Sequence, residues 1–254
     1  MLVPHVPPMW LEGRYGLEFL SLVRDPVWHG RGVQTGGGRP VLLIPGFLAG
    51  DGSLGPMTQW LRDLGYWTKS AGIRFNVDCS EAACRRIEER LECLAERHGR
   101  RVAIVGQSRG GVMARALAVN RPDLVSGIVT LGSPLRSMFG VHPLVAAQIA
   151  MVALLGSAGR SGMFGAGCLS GSCCERFRTA IRAPLPEDVR FVSIYSRTDG
   201  VVDWRGCLDP HADEHVEVSS SHCGMSVNAA TYRAVGRALA AFAEHDGTAW
   251  AQTG

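Results

Sequence analysis

Apolar and polar positions fall into a regular alternation from residue 41 onward. Val41-Leu42-Leu43-Ile44 is a short apolar run stopped by Pro45-Gly46, the pattern of a buried strand. Residues 57–64 read as a helix and 67–70 as a second strand. Between 80 and 98, Ala83, Ile87, Leu91 and Leu94 share one helical face, with Ser80 placed to cap the helix and Gly99 to end it. Strands are expected at 101–105, 124–131, 190–195 and 216–218. Helices are expected at 110–119, with Pro122 beyond its end, and at 225–242, where Val235, Leu239 and Phe242 share a face. Strand-helix alternation with short connections predicts an α/β fold, a mostly parallel sheet with helices on both faces. Ligands in such sheets bind beyond the carboxyl ends of the strands.

Two segments depart from the alternation. Residues 1–40 have weak periodicity, end in Thr35-Gly36-Gly37-Gly38, and read as an N-terminal extension. Residues 136–185 are too long for a plain crossover and are expected to carry extra helices as a lid or cap over the strand ends. With no internal repeat and no low-complexity linker, one domain over 1–254 is expected.

Composition narrows the function classes. The apolar fraction of 46% and charged fraction of 19% are those of a globular chain. A formal net charge of +3, spread without a basic run, gives no support to nucleic-acid binding. The first ten residues hold three prolines and no basic leader, and no segment has 18 uninterrupted apolar residues, so a cytoplasmic enzyme is the expectation. Eight cysteines are many for a reducing compartment and keep export open.

The chemistry concentrates after the strands. Gly106-Gln107-Ser108-Arg109-Gly110 fits the G-x-S-x-G nucleophile elbow. With glycine at 32 of 254 positions, the bare pattern arises by chance about 0.3 times in such a chain. An ordinary glycine-rich turn with a capping serine would also match it. The setting is what counts: an apolar strand precedes the serine and a helical pattern follows. A tight turn there needs small neighbours and lifts the hydroxyl to the positive end of the helix.

A serine needs a base, and in sheets carrying this elbow the acid and then the base follow in chain order. Of His211, His215, His222 and His245, His222 lies between the last strand and the last helix, where it can reach back over the sheet. For the acid, Asp199 in the turn after strand 190–195 is favoured over Asp203, one turn further on. The backbone N–H of Arg109 and of Phe47, after Pro45-Gly46, are the candidate oxyanion donors, and the Arg109 side chain has no required role.

These motifs resemble a known family. Ile44-Pro45-Gly46-Phe47, the elbow with Gly111, Leu131-Gly132-Ser133-Pro134, Ser196-Arg197-Thr198-Asp199-Gly200-Val201-Val202 and Ser221-His222 occur in the order seen in α/β-hydrolase lipases and esterases. The chain looks like the bacterial branch of small lipase-like serine hydrolases over residues 41–243. The resemblance implies the α/β-hydrolase fold, a Ser108-Asp199-His222 triad and an acyl-enzyme. Many relatives carry His-Gly where this chain has Pro45-Gly46, so the ring hydrogen bonds that stiffen that loop are missing here. The same triad would serve an acyltransferase or thioesterase. A catalytically silent binding module is the competing class, and a missing Ser, Asp or His would have favoured it.

The insertion bears on the substrate. Pro143 is placed to start a helix over 143–155 that is apolar nearly all round. Such a helix is either buried wholly in the core or has one side lining an acyl pocket. In the second case Ala147, Ala150 and Met151, with Leu48, would receive medium or long acyl chains of a small-molecule ester, with a lipid or membrane-surface substrate as a further possibility. No cofactor is implied. Cys168, Cys173 and Cys174 lie in the insertion, without a C-x-x-C pair, so no metal site is expected. A disulfide from that cluster to Cys207 is one expectation. Cys79, Cys84 and Cys93 read as ordinary core or surface thiols, and Cys223 as a small packed residue.

Overall fold

The computed structural model describes the backbone of residues 7–136 and 140–253, and side chains as far as Asp246. Residues 137–139, at the start of the expected insertion, and 1–6 of the N-terminal extension lie outside the described residues. Among the described residues, six strands form one sheet in the order β2-β1-β3-β4-β5-β6, every neighbouring pair parallel. They are β1 Pro40–Ile44, β2 Trp67–Ser70, β3 Val102–Gln107, β4 Val125–Leu131, β5 Arg190–Tyr195 and β6 Glu214–Glu217. The helices are α1 Tyr15–Arg24, α2 Gly55–Asp63, α3 Ser80–His98, α4 Arg109–Asn120, α5 Pro143–Ser157, α6 Ala166–Ser170, α7 Glu175–Ala180 and α8 Ala229–Thr253.

Residue alternation along the central strands divides the core in two. Val41, Leu43, Ala103, Val105, Val129, Leu131, Val192 and Ile194 face the side covered by α1, α2 and α8. Leu42, Ile44, Val102, Ile104, Ile128 and Phe191 face the side covered by α3, α4 and α7. Burial on both faces explains the continuous apolar runs at 41–44 and 102–105, while β4 and β5 also bury Thr130 and Ser193, which hydrogen-bond to each other at 3.3 Å. The edges differ: β2 and β6 leave most of their side chains exposed or half-buried.

Several boundaries move for local reasons. Helix α8 starts at Ala229, not 225, because the Asn228 side chain accepts hydrogen bonds from the N–H groups of Ala230 (2.9 Å) and Thr231 (3.2 Å). The preceding Cys223–Val227 winds as a tighter 3-10 turn. Ser80 does not cap α3. Cys79 occupies that position, and the Ser80 hydroxyl accepts a hydrogen bond from Arg109 instead. Gly99 ends α3 with a left-handed φ of 59°.

The strand register places the ends of β1, β3, β4 and β5 along one rim. Ile44 pairs with Gly106, Gln107 with Leu131, and Leu131 with Ile194. The residues that follow are therefore neighbours: Pro45-Gly46-Phe47, Ser108, Gly132-Ser133, and Ser196 to Asp199.

The insertion between β4 and β5 holds α5, α6 and α7. Its start is stitched to the loop after β5: Val141 bridges Val202, the His142 N–H donates to Val201 O (2.7 Å), and the Asp203 N–H donates to Gly140 O (2.8 Å). Helix α5 packs Ile149, Val152 and Ala153 against Val77, Phe164 and Phe47. Among the described residues no helix is long and apolar enough to cross a membrane.

Candidate active site

Ser108 sits between β3 and α4 with φ 53° and ψ −122°, and its N–H donates to Leu131 O at 2.8 Å. Only one other non-glycine described residue has a positive φ, Leu48 at 60°, in the loop facing the elbow. Backbone held in this region costs of order 1–3 kcal/mol and collects where function over-determines it. The flanking glycines are required by space. A Cβ on Gly106 would stand 2.5 Å from Gly110 O, and one on Gly110 would stand 2.2 Å from Ile44 O. Gly46 lies on the other side, its Cβ direction meeting the Ser108 Cβ at 3.2 Å.

His222 and Asp199 come together beside the elbow. Nδ1 of His222 is 2.7 Å from Oδ2 of Asp199, with both side chains buried. The second carboxylate oxygen, Oδ1, accepts the N–H groups of Val201 and Val202, each at 2.7 Å. Burial opposes protonation of the imidazole. The charge of Asp199, its hydrogen bond and the charge of Glu12 outweigh that, so His222 is held above the ordinary histidine range. Gly132, with φ 55°, lies flat against the pair: a Cβ there would stand 3.0 Å from both Asp199 Oδ2 and His222 Nδ1. Gln107, the residue before Ser108, donates from Nε2 to His222 O at 3.0 Å and ties the elbow to the histidine loop. Asp203 is engaged elsewhere. Its carboxylate accepts the Arg205 N–H and caps the turn Trp204–Cys207.

Three supports were not legible in the sequence. Glu12 reaches across from the N-terminal segment and accepts three backbone N–H groups: Gly200 (2.9 Å) and His222 (2.7 Å) on Oε1, and Cys223 (3.0 Å) on Oε2. Buried Glu18 takes the N–H (2.8 Å) and hydroxyl (2.7 Å) of Ser221. Residues 7–24 are thus a brace for the acid and histidine loops, not a loose extension. Asn76 is the third. It donates from Nδ2 to Pro45 O (2.8 Å), its N–H donates to Ala49 O (2.9 Å), and its Oδ1 accepts from Arg109 (2.9 Å). This network holds the Pro45-Gly46-Phe47 loop in place. The Arg109 side chain is likewise structural and not simply solvated, donating to Asn76, Asp78 O and Ser80.

The insertion differs from expectation in two respects. Ala147, Ala150 and Met151 are exposed, because Ile149, Val152 and Ala153 on the opposite face of α5 take the inward side. Leu48 is also exposed, at 42%. The cysteines are the second difference. Cys168, Cys173 and Cys174 gather around Cys79, not Cys207, which is buried beside Tyr195 and Val202. The sulfurs of Cys79, Cys168, Cys173 and Cys174 all lie within 4.8 Å of one another. Cys223 is exposed, not packed.

A parallel sheet of this order, with a strained serine after a central strand and an Asp–His pair on the next loops, is an α/β-hydrolase fold. Solved structures bear this out. The mature form of the Bacillus licheniformis lipase BlEst2 superimposes with a TM-score of 0.60 at 14% identity, covering 82% of this chain and 94% of that one. A soluble variant of monoglyceride lipase from Saccharomyces cerevisiae, in complex with a substrate analog, gives 0.58 at 15% identity over 84% and 88%. The Paleococcus ferrophilus monoacylglycerol lipase gives 0.55 at 15% identity over 81% and 96%. No family model and no curated protein sequence matches the chain.

Proposed function

We propose that this protein is a serine hydrolase of carboxylic esters, with Ser108 as nucleophile, His222 as general base and Asp199 as its orienting acid. The observation that carries the reading is the conjunction of a strained, glycine-cradled Ser108 with a buried Asp199–His222 hydrogen bond of 2.7 Å on the adjoining loops. Because Nδ1 donates to Asp199, Nε2 is left as the proton acceptor. Ser108 Oγ attacks the ester carbonyl while His222 takes its proton. The backbone N–H groups of Phe47 and Arg109 receive the oxyanion. His222 then protonates the departing alcohol, and a water activated by the same imidazole frees the acid. Lipases and esterases among the structural neighbours support ester chemistry.

For the acyl part we favour medium or long apolar chains. Helix α5 spans from the acid loop to Phe47, and its outer face presents Leu144, Met151 and Leu154 at 56–64% exposure, with Ala147 and Ala150 between them. An exposed apolar strip beside the site suits a substrate presented from a lipid aggregate or surface. Turnover of p-nitrophenyl esters from acetyl upward, with fluorophosphonate labelling, tests the reading. Wild type is expected to label at Ser108, to favour longer chains, and to lose turnover in Ser108→Ala with its fold intact. Labelling at another serine, or turnover in the alanine variant, refutes the nucleophile. Best turnover of acetyl ester refutes the acyl assignment.

A further inference from the structure

Cys79 is 89 residues or more from Cys168, Cys173 and Cys174 along the chain, yet the four sulfurs all lie within 4.8 Å of one another. Sγ of Cys79 is 3.4 Å from that of Cys174 and 3.9 Å from that of Cys173. Sγ of Cys173 is 3.2 Å from that of Cys168 and 3.6 Å from that of Cys174. A disulfide would need about 2.05 Å. Four thiolates bound to one zinc ion at about 2.3 Å stand about 3.8 Å apart along each edge of the tetrahedron. The observed separations bracket that edge length.

From this geometry we infer that Cys79, Cys168, Cys173 and Cys174 form a structural zinc tetrathiolate site that fastens the insertion to the start of α3. The surroundings fit such a centre. Cys79 occupies the N-cap of a 19-residue helix, whose positive end favours a bound anionic group. The guanidinium of Arg109 lies within electrostatic reach of Cys79 and Cys174 and is hydrogen-bonded to the residues flanking Cys79. Arg178 donates to the carbonyl of Cys168 and to that of Gly171, steadying the loop that carries the other three sulfurs. On binding, the four S–H groups release four protons to solvent, four Zn–S bonds form, and no electron is transferred. The closed set of four protein ligands leaves no position for substrate, so the ion would staple and not catalyse.

The staple has a defined place in the fold. It links the insertion to the segment 76–80, which also anchors Arg109 and, through Asn76, the Pro45-Gly46-Phe47 loop. A second link runs parallel to it, from the Phe177 N–H to Glu81 Oε2 at 2.9 Å. The inference is independent of the ester-hydrolase reading, because its primary readout is metal content.

The test is elemental analysis of the full chain purified under reducing conditions without chelator, then incubated with zinc and freed of excess. One zinc per chain is expected, and replacement by cobalt should give the intense visible bands of tetrahedral thiolate coordination. Cys173→Ser, at an exposed ligand position, should lose the bound zinc, whereas Cys93→Ser, exposed on α3 outside the cluster, should retain it. Stripping the zinc should open residues 160–180 to limited proteolysis. Metal-free protein with eight titratable thiols after zinc incubation overturns the proposal. So does loss of four thiols to two disulfides, or full zinc retention in Cys173→Ser.

Discussion

Replacing Glu12 tests whether the N-terminal segment is part of the catalytic apparatus. In Glu12→Ala three backbone donors, on Gly200, His222 and Cys223, lose their acceptor at 2.7–3.0 Å. Hydrogen bonds to a charged group contribute about 1.5–3 kcal/mol each. Glu12 is half-buried, so water can reach the vacated site and satisfy part of the lost bonding, and a total below the simple sum is expected, about 2–4 kcal/mol. For a chain of this length that lowers the melting temperature by roughly 5–15 °C. Glu12→Gln keeps one carbonyl oxygen, able to serve the Gly200 and His222 donors that share Oε1, so its stability loss should be less than half as large.

Activity reports a second, separable effect. The charge of Glu12 helps hold His222 above the ordinary histidine range. In the proposed reaction His222 must start neutral, so kcat/KM is expected to fall as pH drops through its pKa. Removing the charge lowers that pKa, and the acid limb moves to lower pH in both variants, although only one loses most of the hydrogen bonds. Loosening of the histidine loop should in addition cost Glu12→Ala about 10–100-fold in kcat. The assays are differential scanning calorimetry and kcat/KM across pH on one soluble ester. An unmoved acid limb together with an unchanged melting temperature would refute the brace.

Asp199→Asn should lower kcat by about a thousandfold or more, through loss of the imidazolium partner and the wrong tautomer, while Asp203→Asn should cost less than tenfold; reversed results would assign the acid to Asp203. Asn76→Ala frees Pro45 O and the Arg109 side chain together, and should reduce kcat about 10–100-fold with little change in KM if the loop carries the proposed oxyanion donor, which acts only once the oxyanion forms. A change confined to KM would argue against that role. Away from the site, Arg115 pairs with Asp209 at 2.6 Å, with both side chains under 5% exposed, and donates to Ala180 O and Ala183 O. Arg115→Met strands the Asp209 carboxylate and should cost about 3–5 kcal/mol in urea unfolding, a loss that Arg115→Met/Asp209→Asn should partly recover.

Much of the framework was readable from local pattern alone. Four-residue apolar runs marked β1 and β3, because both faces of those strands are buried; β4 and β5 were legible as mostly apolar stretches that also bury Thr130 and Ser193. The elbow was legible for the same reason: steric demands on Gly106, Ser108 and Gly110 act within five residues. His222 and Asp199 followed from their positions after strands. Tertiary structure decided what depends on partners far away in the chain. Glu12 meets His222 across 210 residues and Asn76 meets Pro45 across 31, and nothing in their immediate sequence marks either carboxylate or amide as more than a surface group. Helix α5 is apolar on all sides, so its composition could not say which face turns inward; packing against Phe47, Val77 and Phe164 settled that Ile149 and Val152 do. Cys79 and the Cys168, Cys173, Cys174 group carry no metal-binding spacing in sequence. Only the docking of the insertion onto the start of α3 brings the four sulfurs into one tetrahedron-sized cluster, since ligand geometry is a property of distances in space and not of intervals along the chain.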